Sequence, residues 1–325
     1  MFMADGAEGP VFHGAAPVWQ AGRFTIDLAE PRVMGIVNVT PDSFSDGGRY
    51  TEADAARRHC DALLEQGAQI LDIGGESTRP GARAPSPDEE CARVLPALRH
   101  AVTLGVPVSV DTSEPSVMQA ALEAGADIVN DVRSLRRPGA LALLAAHGSA
   151  GVCLMHMRGE PGGMDAQTDY ADVVAEVRDW LASRLAEVVA AGLAPRRVVL
   201  DPGIGFAKTR EQDLEMLRRQ GELLAVGRPL LAGWSRKRTV GMVTGRPVGE
   251  RQAGSVAAAL LAVQHGARVV RVHDVAATVD ALRVWQAVQA PRAGAGNLHA
   301  PPPAGGAAPP GPATQCGPTE EDPAR

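Results

Sequence analysis

Aromatic residues are scarce in this chain: four Trp, two Tyr and five Phe in 325 residues. The core must therefore be aliphatic, with Ala, Val and Leu packing helices onto strands. No run approaches the roughly 18–20 consecutive apolar residues of a membrane span, so no membrane partner is expected. Basic excess is also missing. The net charge is −6 and the sequence pI about 5.8, which argues against a surface built to neutralise nucleic-acid phosphates. The four cysteines, Cys60, Cys91, Cys153 and Cys316, lie far apart without a C-x-x-C pair. That excludes a zinc module and points to reduced thiols in a cytoplasmic compartment. The first residues, MFMADGAEGP, lack the basic start and apolar block of a secretory signal. What remains, 45% hydrophobic and 22% charged residues, suits a soluble protein with a full-sized core.

Composition changes at both ends. Of the 35 residues from Pro291 to Arg325, 23 are Pro, Gly or Ala. Such a segment buries too little apolar surface to offset its ordering entropy, and a disordered tail is expected over 291–325. Residues 1–17 read as a flexible start. Val18–Leu28 suits a short hairpin ahead of the main body, which gives one domain over 18–290.

That body repeats one beat eight times. Short β-branched runs occur at Val33–Val39, Ile70–Ile73, Val106–Val110, Ile128–Asn130, Gly151–Met155, Val198–Leu200, Leu230–Ala232 and Val269–Val272. Helix-like segments such as Asp54–Gln66 and Tyr170–Ala191 separate them. Strands apolar on both faces and alternating with helices imply a parallel sheet covered by helices. Eight such units predict an α/β fold, a closed (β/α)8 TIM barrel. No G-x-G-x-x-G follows the first strand, which weakens a dinucleotide fold. An internal echo supports the repeat: Gly67–Asp72, Gly125–Asn130 and Gly266–Arg271 each run from a helix-ending Gly through Ala and an apolar pair to a polar residue. If the registers match, Asp72, Asn130 and Arg271 project from equivalent levels.

Polar groups furnish the C-terminal ends of the strands: Asn38, Asp72, Asp111, Asn130, Asp131, His156, Asp201, Ser235–Lys237, Arg271 and His273. In such barrels that rim carries the active site, and this one suits a flat ligand rich in heteroatoms. Arg79, Arg271 and His273 together suit an anionic leaving group, a diphosphate, because an Arg fork binds phosphate through two donors. Asp111 and Asp201 can each accept paired N–H bonds from a guanidine-like ring edge. For Asp111 a cap on the following helix is an equal rival, because Thr112–Pro115 reads as a helix start. Asn38 is able to contribute to Mg²⁺ held mainly by substrate phosphates, since Mg²⁺ needs few protein ligands. His156 reads as a core or rim histidine. There is no G-x-S-x-G, and Gly233–Lys237 has no base beside it in sequence, so nucleophilic catalysis lacks support.

Seven motifs in order carry a family resemblance over about Val33–Leu282: Gly35–Gly48 (GIVNVTPDSFSDGG), Asp72–Gly81 (DIGGESTRPG), Ser109–Thr112 (SVDT), Asn130–Val132 (NDV), Asp201–Phe206 (DPGIGF), Ser235–Lys237 (SRK) and Arg271–Asp274 (RVHD). The chain resembles the dihydropteroate synthase family within the wider pterin-binding barrels. The resemblance implies an enzyme, a transferase that joins 6-hydroxymethyl-7,8-dihydropterin diphosphate to p-aminobenzoate, giving 7,8-dihydropteroate and diphosphate in folate synthesis. It implies pterin binding by Asp111, Asn130, Asp201 and Lys237, with Arg271 stacked on the ring. Asp111, Asp201, Lys237 and Arg271 become the expected catalytic residues. Asn38, Arg79, Arg271 and His273 would hold the diphosphate around Mg²⁺, with Asn38 as the metal ligand. Phe44, Thr78, Pro80, Phe206 and Ser235 would shape the p-aminobenzoate slot. The family also implies a cytoplasmic homodimer formed through helices on the barrel exterior, and a sulfonamide target. Two rivals share the barrel: a folate-dependent methyltransferase, and a non-catalytic paralogue that only binds pterin.

Overall fold

The computed structural model describes residues 17–39, 49–76, 85–160 and 163–289. The expected flexible start and the 291–325 tail therefore fall outside the described residues, apart from Pro17.

A hairpin comes first, β1 (Val18–Ala21) paired antiparallel with β2 (Phe24–Asp27). Eight parallel strands follow: β3 (Arg32–Asn38), β4 (Ile70–Gly74), β5 (Val108–Asp111), β6 (Ile128–Asp131), β7 (Gly151–Met155), β8 (Val198–Asp201), β9 (Leu230–Ala232) and β10 (Ala267–Val272). They close into a barrel, with β10 beside both β3 and β9. Between and after them run α1 (Arg49–Glu65), α2 (Pro87–Val102), α3 (Pro115–Glu123), α4 (Ala140–His147), α5 (Val173–Ala190), α6 (Arg210–Arg218), α7 (Arg238–Thr244), α8 (Gln252–Gln264) and α9 (Val275–Gln289). The (β/α)8 expectation holds, and so does the hairpin.

Local chemistry sets the boundaries. β5 starts at Val108 rather than Val106, because Pro107 has no N–H for the ladder and offers only its carbonyl, to Leu71. α5 starts at Val173 rather than Tyr170, because the Asp172 carboxylate caps it, accepting from the N–H groups of Val174 and Ala175. α2 opens on a capping box: Ser86 Oγ accepts from Glu89 N, and the Glu89 carboxylate accepts from Ser86 N.

The period-2 alternation of strand side chains divides the core in two. One parity faces the helices: Val37, Leu71, Val110, Val129, Leu154, Leu200, Ala232 and Val270 pack with helical residues such as Leu63, Leu98, Met118 and Leu181. The other parity faces the barrel axis. Its lower layer, Met34, Ile70, Ile128, Cys153, Val199, Leu231 and Val269, clusters with Trp19, Ala21, Ile26 and Leu28 of the hairpin segment. The hairpin thus closes the N-terminal mouth. Trp19 is fully buried there and donates its indole N–H to Arg197 O at 2.9 Å. Gly22 N donates to Ser149 O, and the Arg23 guanidinium forks onto Asp127 at 2.7 and 2.9 Å, with its backbone N–H adding a bond at 3.0 Å. The axial parity changes from apolar to polar toward the C-terminal ends, which leaves the polar layer at the open mouth.

Candidate active site

Arg271, on β10, reaches into the barrel as a fork. Its Nε donates to Asp72 Oδ2 and its Nη2 to Asp111 Oδ2, each at 2.6 Å. Asn130 Nδ2 donates to the same Asp72 oxygen at 3.2 Å. The three residues of the sequence echo therefore meet at one atom. They do not share a register level: Asp72 pairs with Ser109, whereas Asn130 pairs with Asp111 two residues further on. Strand tilt in a closed barrel staggers the levels, and the length of the Arg side chain spans the difference. Asp111 is thus an ion-pair partner rather than a helix cap. The cap position of α3 belongs to Glu114, which makes no side-chain cap bond.

Burial raises the Asp111 pKa, opposed by Arg271 and reinforced by the negative charge of Asp72. Asp72 is fully buried, and its second oxygen, Oδ1, has no hydrogen-bond partner. The Arg271 pKa is raised as the two carboxylates outweigh its desolvation. An Arg bound between two carboxylates, in a site largely shielded from water, has its plane fixed by both.

Across the barrel, β8 delivers Asp201, whose Oδ1 accepts from Gly203 N at 2.7 Å. Burial raises its pKa, while that bond and the charge of Lys237 lower it. Lys237 lies between the β9 end and α7. Desolvation brings its ammonium down to about 8, with Asp201 pulling the other way. Its Nζ stands 4.1 Å from the centroid of the Phe206 ring, a cation–π contact. Phe206 belongs to an apolar patch with Val132, Met155, Met157, Met164 and Ala207. One side of the mouth is thus apolar, while the axial side chains at the strand ends are charged.

Ser235 and His273 form a pair the linear sequence hides. Ser235 Oγ accepts from the His273 backbone N–H at 3.0 Å and lies 3.0 Å from its Nδ1. Desolvation, with Arg271 and Arg236 nearby, drives His273 down to about 3. The ring is neutral at pH 7, so one of its nitrogens donates and the other accepts. His273, one of the ionisable groups at the strand ends, is therefore uncharged here and offers hydrogen bonds. Among the described residues no carboxylate is bonded to the ring, and Asp274 is engaged by Arg236 at 2.7 and 3.1 Å. The pair is therefore not a triad.

The structure brings Asp111, Asn130, Asp201, Lys237, Arg271, Ser235, His273 and Phe206 to one mouth. Asn38 ends β3 in the same axial parity, paired with Gly74. Phe44, Thr78, Arg79 and Pro80 lie outside the described residues. Three residues buried at or near the site were given no specific binding or catalytic role by the sequence. Asp72, which anchors Arg271, was signalled by the polar sixth position of the echo. Lys208 and Glu90 carried no signal, since a lysine after a glycine loop and a glutamate in a first helical turn are ordinary surface residues. Both are buried here. His156 is the core histidine expected of it, edge-on to Trp180 with 5.1 Å between centroids.

A family model described as a pterin binding enzyme matches residues 34–273. Dihydropteroate synthase of Neisseria meningitidis serogroup B (strain ATCC BAA-335 / MC58) is 53% identical over 280 residues, covering 84% of this chain and 98% of the relative. Among solved structures, Xanthomonas albilineans dihydropteroate synthase with 4-aminobenzoic acid superimposes with a TM-score of 0.80 at 52% identity, covering 85% of this chain and 99% of that one. The same organism's enzyme in complex with 7,8-dihydropteroate gives 0.76 at 45% identity, with the same coverage.

Proposed function

The chain belongs to the dihydropteroate synthases among the pterin-binding enzymes, and on that premise we propose how its own residues carry the reaction. It is a transferase that condenses 6-hydroxymethyl-7,8-dihydropterin diphosphate with p-aminobenzoate to give 7,8-dihydropteroate and diphosphate. The observation that carries the residue assignment is the Arg271 fork across Asp72 and Asp111, facing Asp201 and Lys237 over a mouth closed below by the hairpin.

Asp111, Asn130 and Asp201 offer acceptors to the amino and ring N–H groups of the pterin, and Lys237 donates to its acceptor edge. Arg271, held in plane by its carboxylates, lies against the ring. The pterin CH₂–O bond breaks with its electron pair leaving on the diphosphate, and the exocyclic carbon becomes a cation delocalised into the ring. Buried carboxylates are in place before that charge appears, which is where electrostatic preorganisation acts most strongly. The lone pair of the p-aminobenzoate nitrogen then forms the new C–N bond, and its surplus proton passes to solvent or to the departing diphosphate. An aniline needs no strong base to do this, in keeping with a mouth that offers a neutral His273 in place of a triad. Phe206 and Ser235 line the p-aminobenzoate slot, to which Phe44, Thr78 and Pro80 are assigned by motif. Arg271, His273 and, by motif, Arg79 take the diphosphate. A methyltransferase reading of the barrel loses to the dihydropteroate synthase relatives.

Mg²⁺ fits as part of the substrate. Among the described residues no three His, Cys, Asp or Glu side chains are grouped to hold a metal, and the expected ligand Asn38 supplies one amide oxygen. An ion that keeps its waters and sits chiefly on phosphate oxygens suits that donor set. With Asn38 and the substrate phosphates holding it, such an ion would supply charge neutralisation to the leaving diphosphate.

Helices α7, α8 and α9 and the turn between α7 and α8 expose Met242, Val243, Val248, Leu261, Val284 and Val288. This apolar exterior supports the homodimer, which sedimentation at micromolar concentration tests; a monomer there would refute it. Cys60, Cys91 and Cys153 are free thiols, in keeping with a reducing cytoplasm. Among the described residues no helix is long and apolar enough to cross a membrane.

The test of the activity supplies pterin diphosphate, p-aminobenzoate and Mg²⁺, then follows diphosphate release with and without the amine. Release coupled to dihydropteroate formation is expected. Binding of pterin with no turnover would leave the non-catalytic paralogue in its place.

A further inference from the structure

Lys208 is a second buried lysine, 2% exposed, and it sits behind the site wall rather than in the mouth. Its ammonium donates to Gly203 O at 3.0 Å and Phe206 O at 3.1 Å, with His156 Nδ1 at 3.2 Å. None of these acceptors is a carboxylate. Asp213 and Asp201 help it only through space, and desolvation brings the ammonium down to about 8. Burial and the positive charge of Lys208 and Arg158 drive His156 to about 2, so its ring is neutral and Nδ1 is an acceptor. Burying a cation against neutral partners is costly. A methionine would fill a similar volume without that penalty.

The penalty falls on one particular loop. Residues 201–208 turn through positive φ at Gly203, Gly205 and Ala207, an irregular path with few ladder bonds. Its N–H groups are held by acids: Asp201 Oδ1 takes Gly203 N, and Asp213 Oδ1 takes Gly205 N at 2.8 Å. Its carbonyls are held by Lys208. The loop carries Asp201 at one end and Phe206 near the other, facing two different substrates.

We propose that Lys208 is the positioning residue for both halves of the site, fixing Asp201 against the pterin and Phe206 against p-aminobenzoate through the carbonyls of Gly203 and Phe206. It touches neither substrate. The proposal rests on the site reading given under Proposed function, and the experiment separates the two.

Steady-state kinetics are measured on the full chain for Lys208→Met, Asp201→Asn, Phe206→Ala and the two double variants with Lys208→Met. Loss of charge-assisted hydrogen bonds to the loop should raise KM for both substrates about tenfold, with a smaller change in kcat. In the Asp201→Asn background Lys208→Met should add less than about threefold to the pterin KM, and in the Phe206→Ala background equally little to the p-aminobenzoate KM. Additive penalties in both cycles, or a fall in kcat with both KM values unchanged, would overturn the proposal. If Lys208→Met does not fold, His156→Leu replaces it. That change removes one of the three acceptors and should raise both KM values about threefold; unchanged values would count against Lys208 just as firmly. Should Asp201→Asn leave the pterin KM untouched, the pterin assignment fails, and the Phe206 cycle still decides the role of Lys208.

Discussion

Arg271 shows how little of a residue's task is contained in its charge. A lysine in its place keeps the charge but not the planar fork that joins two carboxylates, leaving Asp111 without its guanidinium donor or Asp72 with the Asn130 amide alone. Arg271→Lys should lower kcat/KM by roughly 10²-fold, about the 2–3 kcal/mol of a lost charge-assisted contact; a variant within threefold of the parent would contradict the role given to the fork. Glu90 makes the opposite case, a carboxyl whose effect is felt through pH. It is 3% exposed on α2, one oxygen has no partner, and Gly75 packs on its side chain. Burial lifts its pKa to about 7, partly offset by a hydrogen bond with Thr112. The folded state therefore holds a proton that the unfolded chain releases near 4.5, so its contribution is favourable in acid and lost as pH rises through about 7. Glu90→Gln should raise stability at pH 8 by up to about 3 kcal/mol and change little at pH 4.5. Melting curves at both pH values check this, and equal shifts would exclude a titrating Glu90. His156 and His273 act with the reverse sign. Their depressed values mean that the unfolded chain takes protons first, so stability declines as pH falls below about 6.5. That acid limb should persist in Glu90→Gln.

At the scale of elements, the loop after β8 is the most constrained segment. Gly203 has φ of +70°, and a Cβ there would stand 1.9 Å from His156 O. Gly203→Ala should push the loop away from β7 and cost at least about 2–3 kcal/mol in strain, with both substrate affinities falling together. Preserved affinities in a folded variant would show that the loop path does not matter. Elements are also where the sequence was most legible. Eight strands, the hairpin and most boundaries follow from β-branched runs and helix-ending glycines, because period and turn chemistry are local. Departures came from equally local causes, Pro107 and the Asp172 cap, given less weight than hydrophobicity. The site was legible as a set of strand-end residues. Its wiring was not: Ser235 with His273, Arg236 with Asp274 and Arg271 with Asp111 join residues 38 to 160 positions apart. Such pairings are decided by barrel closure and by which strand neighbours which. The neutrality of His273 likewise depends first on burial, which only the fold supplies, and then on the charges of Arg271 and Arg236.

For the whole molecule, the hairpin is the part most easily mistaken for decoration. Trp19, Ile26 and Leu28 fill the barrel floor, far from the polar layer. Trp19→Ala should cost about 3–5 kcal/mol, a melting-point drop of roughly 6–20 °C for a domain of this size. Both KM values should stay at the parent level at any temperature where the variant is folded. A selective rise in one KM would mean that the floor shapes the site directly.

With the floor sealed, the barrel is a blind well, and everything that enters must leave by the way it came. The pterin acceptors lie on the strands themselves, whereas Phe206 stands on a loop beyond the strand end, nearer the rim. On the site assignment proposed above, a bicyclic substrate seated on the strands would lie beneath an aryl amine held against Phe206, and the joined product would withdraw by the same mouth. On that assignment the deeper partner is expected to enter first, an order set by the filled axis of the barrel.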